Sequence, residues 1–408
     1  MGLAQLLLDD DVRLVAVRGG LGAVPGVRLA GVHAGIKARK RDLALVTFDE
    51  AQVCASVVTT NEIKAAPVIV SAEHLEKSST AMRAVVCNSG CANACTGERG
   101  LHDTRATARQ AAALLSIAPS QVVVASTGVI GVPLPMDRVQ RGIERAHGQL
   151  DGGGKAAHDA AEAIMTTDRV PKMAAYTFHH EEKKYTVGGM AKGSGMIAPN
   201  LATMLAFVAS DLPLSQSALQ QALAEAADES FNMISVDGDM STNDAVYAFA
   251  PVGEGAPPIA FVRALRQVCL DLAQAMVADG EGATKTMTVH VTGAADVQQA
   301  RTIGRAIVNS SLVKTALYGE DPNWGRIIAA AGAARAGLDP AKWSLLLNQK
   351  VWVEVGAIEL LSEAEAFSEL ELTEIVVELR LGMGDARATA WGCDLSKDYV
   401  RINASYRT

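Results

Sequence analysis

Residues 192–208 read Lys-Gly-Ser-Gly-Met-Ile-Ala-Pro-Asn-Leu-Ala-Thr-Met-Leu-Ala-Phe-Val, a lone cation leading into a long uncharged run with one threonine, Thr203. A threonine hydroxyl attacks a carbonyl poorly unless a base is held against it. A chain without a nearby histidine can supply that base from its own backbone. Cutting the peptide bond before the threonine frees an α-amine of near-neutral pKa right beside the hydroxyl. The plainer reading is a buried strand whose Thr203 hydroxyl bonds to backbone, and residue types alone leave both open. A second spot is Ser126-Thr127-Gly128, which ends the β-branched run Val122 to Ala125. A strand running into a small polar turn exposes N–H groups, and glycine lets a ligand approach the backbone. Taken alone, the tripeptide is an ordinary turn.

Other patterns fail as sites. Cys87, Cys91 and Cys95 are spaced by equal gaps of three, unlike paired zinc or ferredoxin cysteines. They read as small buried thiols packing a tight turn, and no metal is expected. In Gly188-Gly-Met-Ala-Lys192-Gly-Ser-Gly195 the lysine precedes the Gly-Ser, opposite to a phosphate loop. There is no HExxH and no GxSxG, and His179-His180 sits in a charged stretch that reads as a solvated hairpin. Lys and Arg total 37 against 45 Asp and Glu, a net charge of −8. That balance argues against nucleic acid as a partner. The one basic run, Lys37 to Arg41, reads as a solvated turn. Leu6-Leu7-Leu8 meets Asp9-Asp10-Asp11 at once, unlike a secretory signal. Prolines and glycines break the uncharged stretch 110–136, so no membrane span is predicted. The expectation is a soluble, cytoplasmic protein.

The elements that must position these residues are short and mixed. With 408 residues, 49% of them hydrophobic, the chain suggests about two domains with packed interiors. Strands are predicted at 43–48, 53–58, 83–87 and 122–125, with Ala65-Ala66-Pro67 closing the second and Asn88-Ser89-Gly90 turning out of the third. Helical spacing marks 104–117, 156–165, 261–278 and 295–308, and Ser215 caps a helix over 216–227. A hairpin turns at 181–184, and strand signals recur at 287–291, 345–347, 351–355 and 375–381. Hairpins outnumber βαβ units, so α+β layers are favoured over a doubly wound sheet.

The segment Lys192-Gly-Ser-Gly-Met-Ile-Ala-Pro-Asn-Leu-Ala-Thr203-Met-Leu-Ala-Phe207 closely resembles the self-cleavage and nucleophile motif of the ornithine acetyltransferases, also called glutamate N-acetyltransferases. Further blocks match in order: Gly31 to Lys37, Asn88 to Gly97, Ser126 to Gly131, Thr166-Thr-Asp168, Val236-Asp-Gly-Asp239, Ser241-Thr-Asn-Asp244, Asp279 to Lys285, Asp321 to Arg326 and Ile402 to Thr408. Cys91, Ser235 and Met240 depart from residues usual in that family.

The resemblance implies a layered α/β/β/α sandwich of the N-terminal-nucleophile type over residues 1–285, with a smaller α/β domain over 286–408 whose tail returns to the site. It implies scission between Ala202 and Thr203, then ping-pong transfer of an acetyl group from N2-acetylornithine to glutamate through acetyl-Thr203 in arginine biosynthesis. Thr127 and Gly128 match the oxyanion hole, and Thr166, Lys192, Thr203, Glu281, Asn403 and Thr408 match substrate-binding positions. No cofactor is implied. Two α and two β chains would assemble, and some members also accept acetyl-coenzyme A as donor. The rival reading is an N-terminal-threonine amidase or aminopeptidase of related fold, which would pass the acyl group to water.

Overall fold

The computed structural model describes residues 13–198, 204–356 and 358–405. Its strands, in chain order, are β1 (Val15–Ala16), β2 (Val27–Val32), β3 (Leu43–Val58), β4 (Met82–Cys91), β5 (Val122–Val129), β6 (Lys172–His180), β7 (Lys183–Lys192), β8 (Leu205–Ser210), β9 (Ile234–Ser235) and β10 (Ala245–Pro251). They are followed by β11 (Thr286–Ala294), β12 (Ser344–Leu347), β13 (Lys350–Glu354), β14 (Ile358–Glu359), β15 (Glu374–Arg380) and β16 (Ala386–Cys393). The helices are α1 (Ala66–Ser78), α2 (Gly97–Leu115), α3 (Met136–His147), α4 (Gly154–Ile164), α5 (Gln216–Asp228), α6 (Ile259–Ala278), α7 (Val297–Asn309), α8 (Ser311–Tyr318), α9 (Trp324–Ala333), α10 (Glu363–Leu370) and α11 (Lys397–Ser405).

The first sheet runs β1-β6-β7-β8-β10-β3-β4-β5, with β2 also on β3. Its hinge is β3, whose first half pairs with β2 and β4 and whose second half pairs with β10, with a register shift between Thr47 and Gln52. Alternate residues therefore face three separate cores. Ala44, Val46, Cys54, Phe207 and Tyr247 meet in an inner core with Val85, Val123 and the alanines of α4. Val53, Ala55, Ala206 and Val246 turn outward onto α5 and α6. Leu43, Leu45, Val86 and Val124 turn outward onto α2 and α3. The result is helix, sheet, sheet, helix: the α+β layering expected from the sequence.

A second sheet, β14-β13-β12-β15-β11-β16-β9, is mixed and packs on α7 and its neighbours. Its edge strand β9 comes from the middle of the chain and pairs in parallel with β16. The caps are legible: Ser215 Oγ accepts the Ala218 N–H, and Asp296 accepts from Gln299. Among the described residues, no helix is long and apolar enough to cross a membrane.

Several expectations are corrected. Residues 43–58 form one bent strand, not two. Ala65-Ala66-Pro67 opens α1 instead of closing a region, because proline fits the first helical turn, where N–H groups have no partner anyway. Asn88-Ser89-Gly90 stays within β4, held by parallel pairing to β5. Cys87 and Cys91 are buried as expected, but Cys95 is exposed. Lys37 is not a solvated turn residue: it is half-buried, its Nζ donates to Met165 O at 2.9 Å, and burial pushes its pKa down to about 8.

Candidate active site

The end of β7 and the starts of β8 and β10 lie side by side, Lys192 opposite Leu205 and Leu205 opposite Ala245. Just ahead of β10, Asp244 Oδ1 accepts the Met204 N–H at 2.9 Å. Its buried Oδ2 has no partner among the described residues, and burial holds this carboxyl well above the usual carboxylate range. Strand β5 comes alongside from the other half of the sheet, and Lys192 Nζ reaches Thr127 Oγ1 at 3.4 Å.

The backbone carrying Thr127 and Gly128 is fixed from three directions. Ser126 Oγ donates to Asn88 Oδ1 at 2.6 Å, while Asn243 Nδ2 donates to Ser126 O at 2.8 Å and to Ala92 O at 2.7 Å. Gly128 has φ +129°, and a Cβ there would stand 2.4 Å from the Gly90 carbonyl carbon. Only glycine fits.

Opposite this strand, Gly195 runs close under Glu281, where a Cβ would meet the carboxylate at 2.5 Å. Glu281 N–H donates to Ser194 O at 2.7 Å, and Asn403 Nδ2 on α11 donates to Glu281 Oε2 at 2.8 Å. Met196 adopts a left-handed φ of 56°, a conformation costly for a side-chain-bearing residue and common at functional sites. Asp237 maintains it by accepting the N–H groups of Met196 and Ile197 at 2.6 and 2.8 Å.

Thr127, Gly128, Thr166, Lys192, Glu281 and Asn403 thus line one cleft, together with Gly195, Met196 and Asn243. Ala202, Thr203 and Thr408 lie outside the described residues. A wider cleft of about 810 Å³ opens beside it, shares Thr166 and Glu281, and carries Lys37, Arg39, Lys40, Arg169 and Arg401.

Beneath the cleft is a buried ionic group that sequence reasoning missed. Lys172 Nζ, with a side chain fully shielded from solvent, donates to Asp168 Oδ1 and Asp279 Oδ2, each at 2.7 Å. Asp168 also accepts the Gly193 N–H at 2.7 Å and the Thr166 N–H at 3.0 Å. Asp279 further accepts Arg169 Nε at 2.9 Å. The network ties the segments bearing Thr166, Lys192 and Glu281 into one frame. Asp168 and Asp279 each stood within a motif block, but Lys172 and Asp279 are 107 residues apart and no local spacing marks them as partners.

Burial would raise the Asp168 pKa, yet Lys192 and Lys172 outweigh it and hold the carboxyl at about 2. A carboxyl lowered in the folded state stabilises above its unfolded pKa, near 4, and loses that contribution as pH falls toward 2. We expect on the order of 2 kcal/mol to disappear over that window. Urea unfolding at pH 5 and pH 2 checks this, and the Asp168→Asn chain should show a correspondingly flatter acid decline.

The model of the ArgJ family matches residues 28–408. The chain belongs to the ArgJ family. The arginine biosynthesis bifunctional protein ArgJ of Symbiobacterium thermophilum is 49% identical over 401 residues, covering 96% of this chain and 99% of that protein. ArgJ of Staphylococcus aureus is 44% identical over 398 residues, covering 96% of each chain. Among solved structures, ornithine acetyltransferase from Mycobacterium tuberculosis, crystallised with ornithine, is 45% identical. It covers 46% of this chain and 98% of its own, with a TM-score of 0.43.

Proposed function

We propose that this ArgJ-family chain cuts itself between Ala202 and Thr203 and then moves an acetyl group from N2-acetylornithine to glutamate through Thr203. It is an acetyltransferase of arginine biosynthesis. The observation that carries this reading is the meeting of Thr127, Gly128, Thr166, Lys192, Glu281 and Asn403 around one cleft. One of them, Lys192, is the strand neighbour of Leu205, two residues along from Thr203.

The freed α-amine of Thr203 takes the hydroxyl proton while Oγ attacks the acetyl carbonyl. The Thr127 hydroxyl and Gly128 N–H stabilise the oxygen that becomes negative. Ornithine leaves with the proton, and the amine of glutamate then attacks the acetyl ester, which restores the hydroxyl. Lys192 offsets a substrate carboxylate and Glu281 meets an ammonium group, with Thr166, Asn403 and Thr408 adding neutral hydrogen bonds. No cofactor enters, since the acyl group rides on the chain.

The relatives' name "bifunctional" and the basic outer cleft support acetyl-coenzyme A as a second donor, its phosphates meeting Lys37, Arg39, Lys40, Arg169 or Arg401. The two-sheet layout supports a catalytic unit over 1–285 and a smaller one over 286–408. The product of scission is a cytoplasmic assembly of two α and two β chains.

Mass spectrometry of the purified protein is the test. Two chains corresponding to 1–202 and 203–408 are expected, with one acetyl group on the first residue of the second after brief exposure to acetylornithine. An unbroken active chain would overturn the reading. Acetate release at full rate without glutamate would favour a hydrolase.

A further inference from the structure

Lys192 enters the proposed function as a partner for a substrate carboxylate, and its surroundings give it a further task. It is only 2% exposed, and among the described residues its Nζ reaches Thr127 Oγ1 at 3.4 Å. A hydroxyl has one proton and two lone pairs. If its oxygen accepts from an ammonium, its own proton must point elsewhere. Thr127 lines the cleft, so a direction open to that proton is toward the substrate. Thr127 serves as an oxyanion donor only in that orientation. A free rotor would spend much of its time turned away.

We propose that Lys192 is a positioning residue for Thr127: its ammonium bonds Thr127 Oγ1 and aims the hydroxyl proton at the developing oxyanion. This rests on the reading of Thr127 as an oxyanion donor. The ionisable groups facing Lys192 are Asp168 and Lys172 from the segment entering β6, Asp244 ahead of β10, and Cys87 on β4. Burial pushes Cys87 up to about 12 and Asp244 well above the carboxylate range, so neither opposes a cation well at neutral pH. Asp168, held at about 2, is the ionised carboxylate among them, although its direct hydrogen bond is to Lys172. Burial lowers the Lys192 pKa below the usual lysine range. The positioning should therefore fail on the alkaline side earlier than a free lysine would titrate.

A double-mutant cycle on the cleaved enzyme tests this. Thr127→Ala should lower kcat by about 10²–10³, and Lys192→Met by ~10- to 100-fold, the value of one charged hydrogen bond. The double variant should be no slower than Thr127→Ala alone, because Lys192 acts through the hydroxyl already removed. Multiplying effects, or a Lys192→Met loss confined to KM, would overturn the proposal and leave Lys192 with carboxylate binding alone. Wild-type turnover in Thr127→Ala would instead sink the oxyanion reading on which it rests.

Should a variant remain uncleaved, the wild-type pH profile still decides. The alkaline limb of kcat should fall below the ordinary lysine range, near 10.4. The Asp168→Asn enzyme should show it at lower pH still. A wild-type profile with no such limb up to pH 10 would overturn the proposal.

Discussion

A Thr203→Ala chain is expected to remain a single polypeptide of 408 residues and to transfer no acetyl group from acetylornithine. One methyl-for-hydroxyethyl exchange removes the attacking oxygen for scission, and with it the α-amine that would serve as base. Loss of both partners of a nucleophile–base pair is not graded, so turnover should fall to background. Gel electrophoresis under denaturing conditions and an acetyl-transfer assay read the two losses separately. Thr203→Ser should recover both in part, since a primary hydroxyl can perform the same attack. Normal turnover in Thr203→Ala would remove the residue from the mechanism.

Gly128→Ala should give the next largest effect, a fall in kcat of about 10²–10³ with little change in KM. The added methyl group would meet the Gly90 carbonyl carbon at 2.4 Å and the Cys91 nitrogen at 2.6 Å. Both contacts are backbone atoms of a paired strand and cannot swing aside, so the β5 end must move. A shift of about an ångström at a donor aimed at a transition state costs about a hundredfold. The forced φ adds strain of about 1–3 kcal/mol, which thermal unfolding would detect. Unaltered kcat in a folded Gly128→Ala enzyme would rule out the Gly128 N–H as an oxyanion donor.

The residues that line the cleft were more legible in the sequence than the elements that carry them. Thr127, Gly128, Thr166, Lys192, Glu281 and Asn403 stood in recognisable blocks, and they converge on one cleft. The elements around them were misread where local and tertiary signals conflict. Pro67 looks like a terminator but occupies the first turn of α1. Asn88-Ser89-Gly90 has turn chemistry, yet β5 pairs with it and keeps it extended. The helix α3 went unpredicted although it is strongly amphipathic, with Val139, Ile143 and Ala146 on its buried face. Asp168 and Lys172 are only four residues apart, but the Lys172–Asp279 link of the frame was invisible because it forms only when β6 docks beside the end of α6. Ion pairs between distant segments leave no periodic trace.

The position of β8 has a consequence for the working lifetime of the protein. It is bonded to β7 on one side and β10 on the other, and β10 in turn to β3. A nick just ahead of Thr203 would thus leave β8, near the new terminus, held between strands of both pieces, and neither piece could complete the sheet by itself. Once such an enzyme opened fully, its halves would have to find each other again by diffusion. Recovery would then depend on dilution, and durability would be governed by how slowly the sheet comes apart.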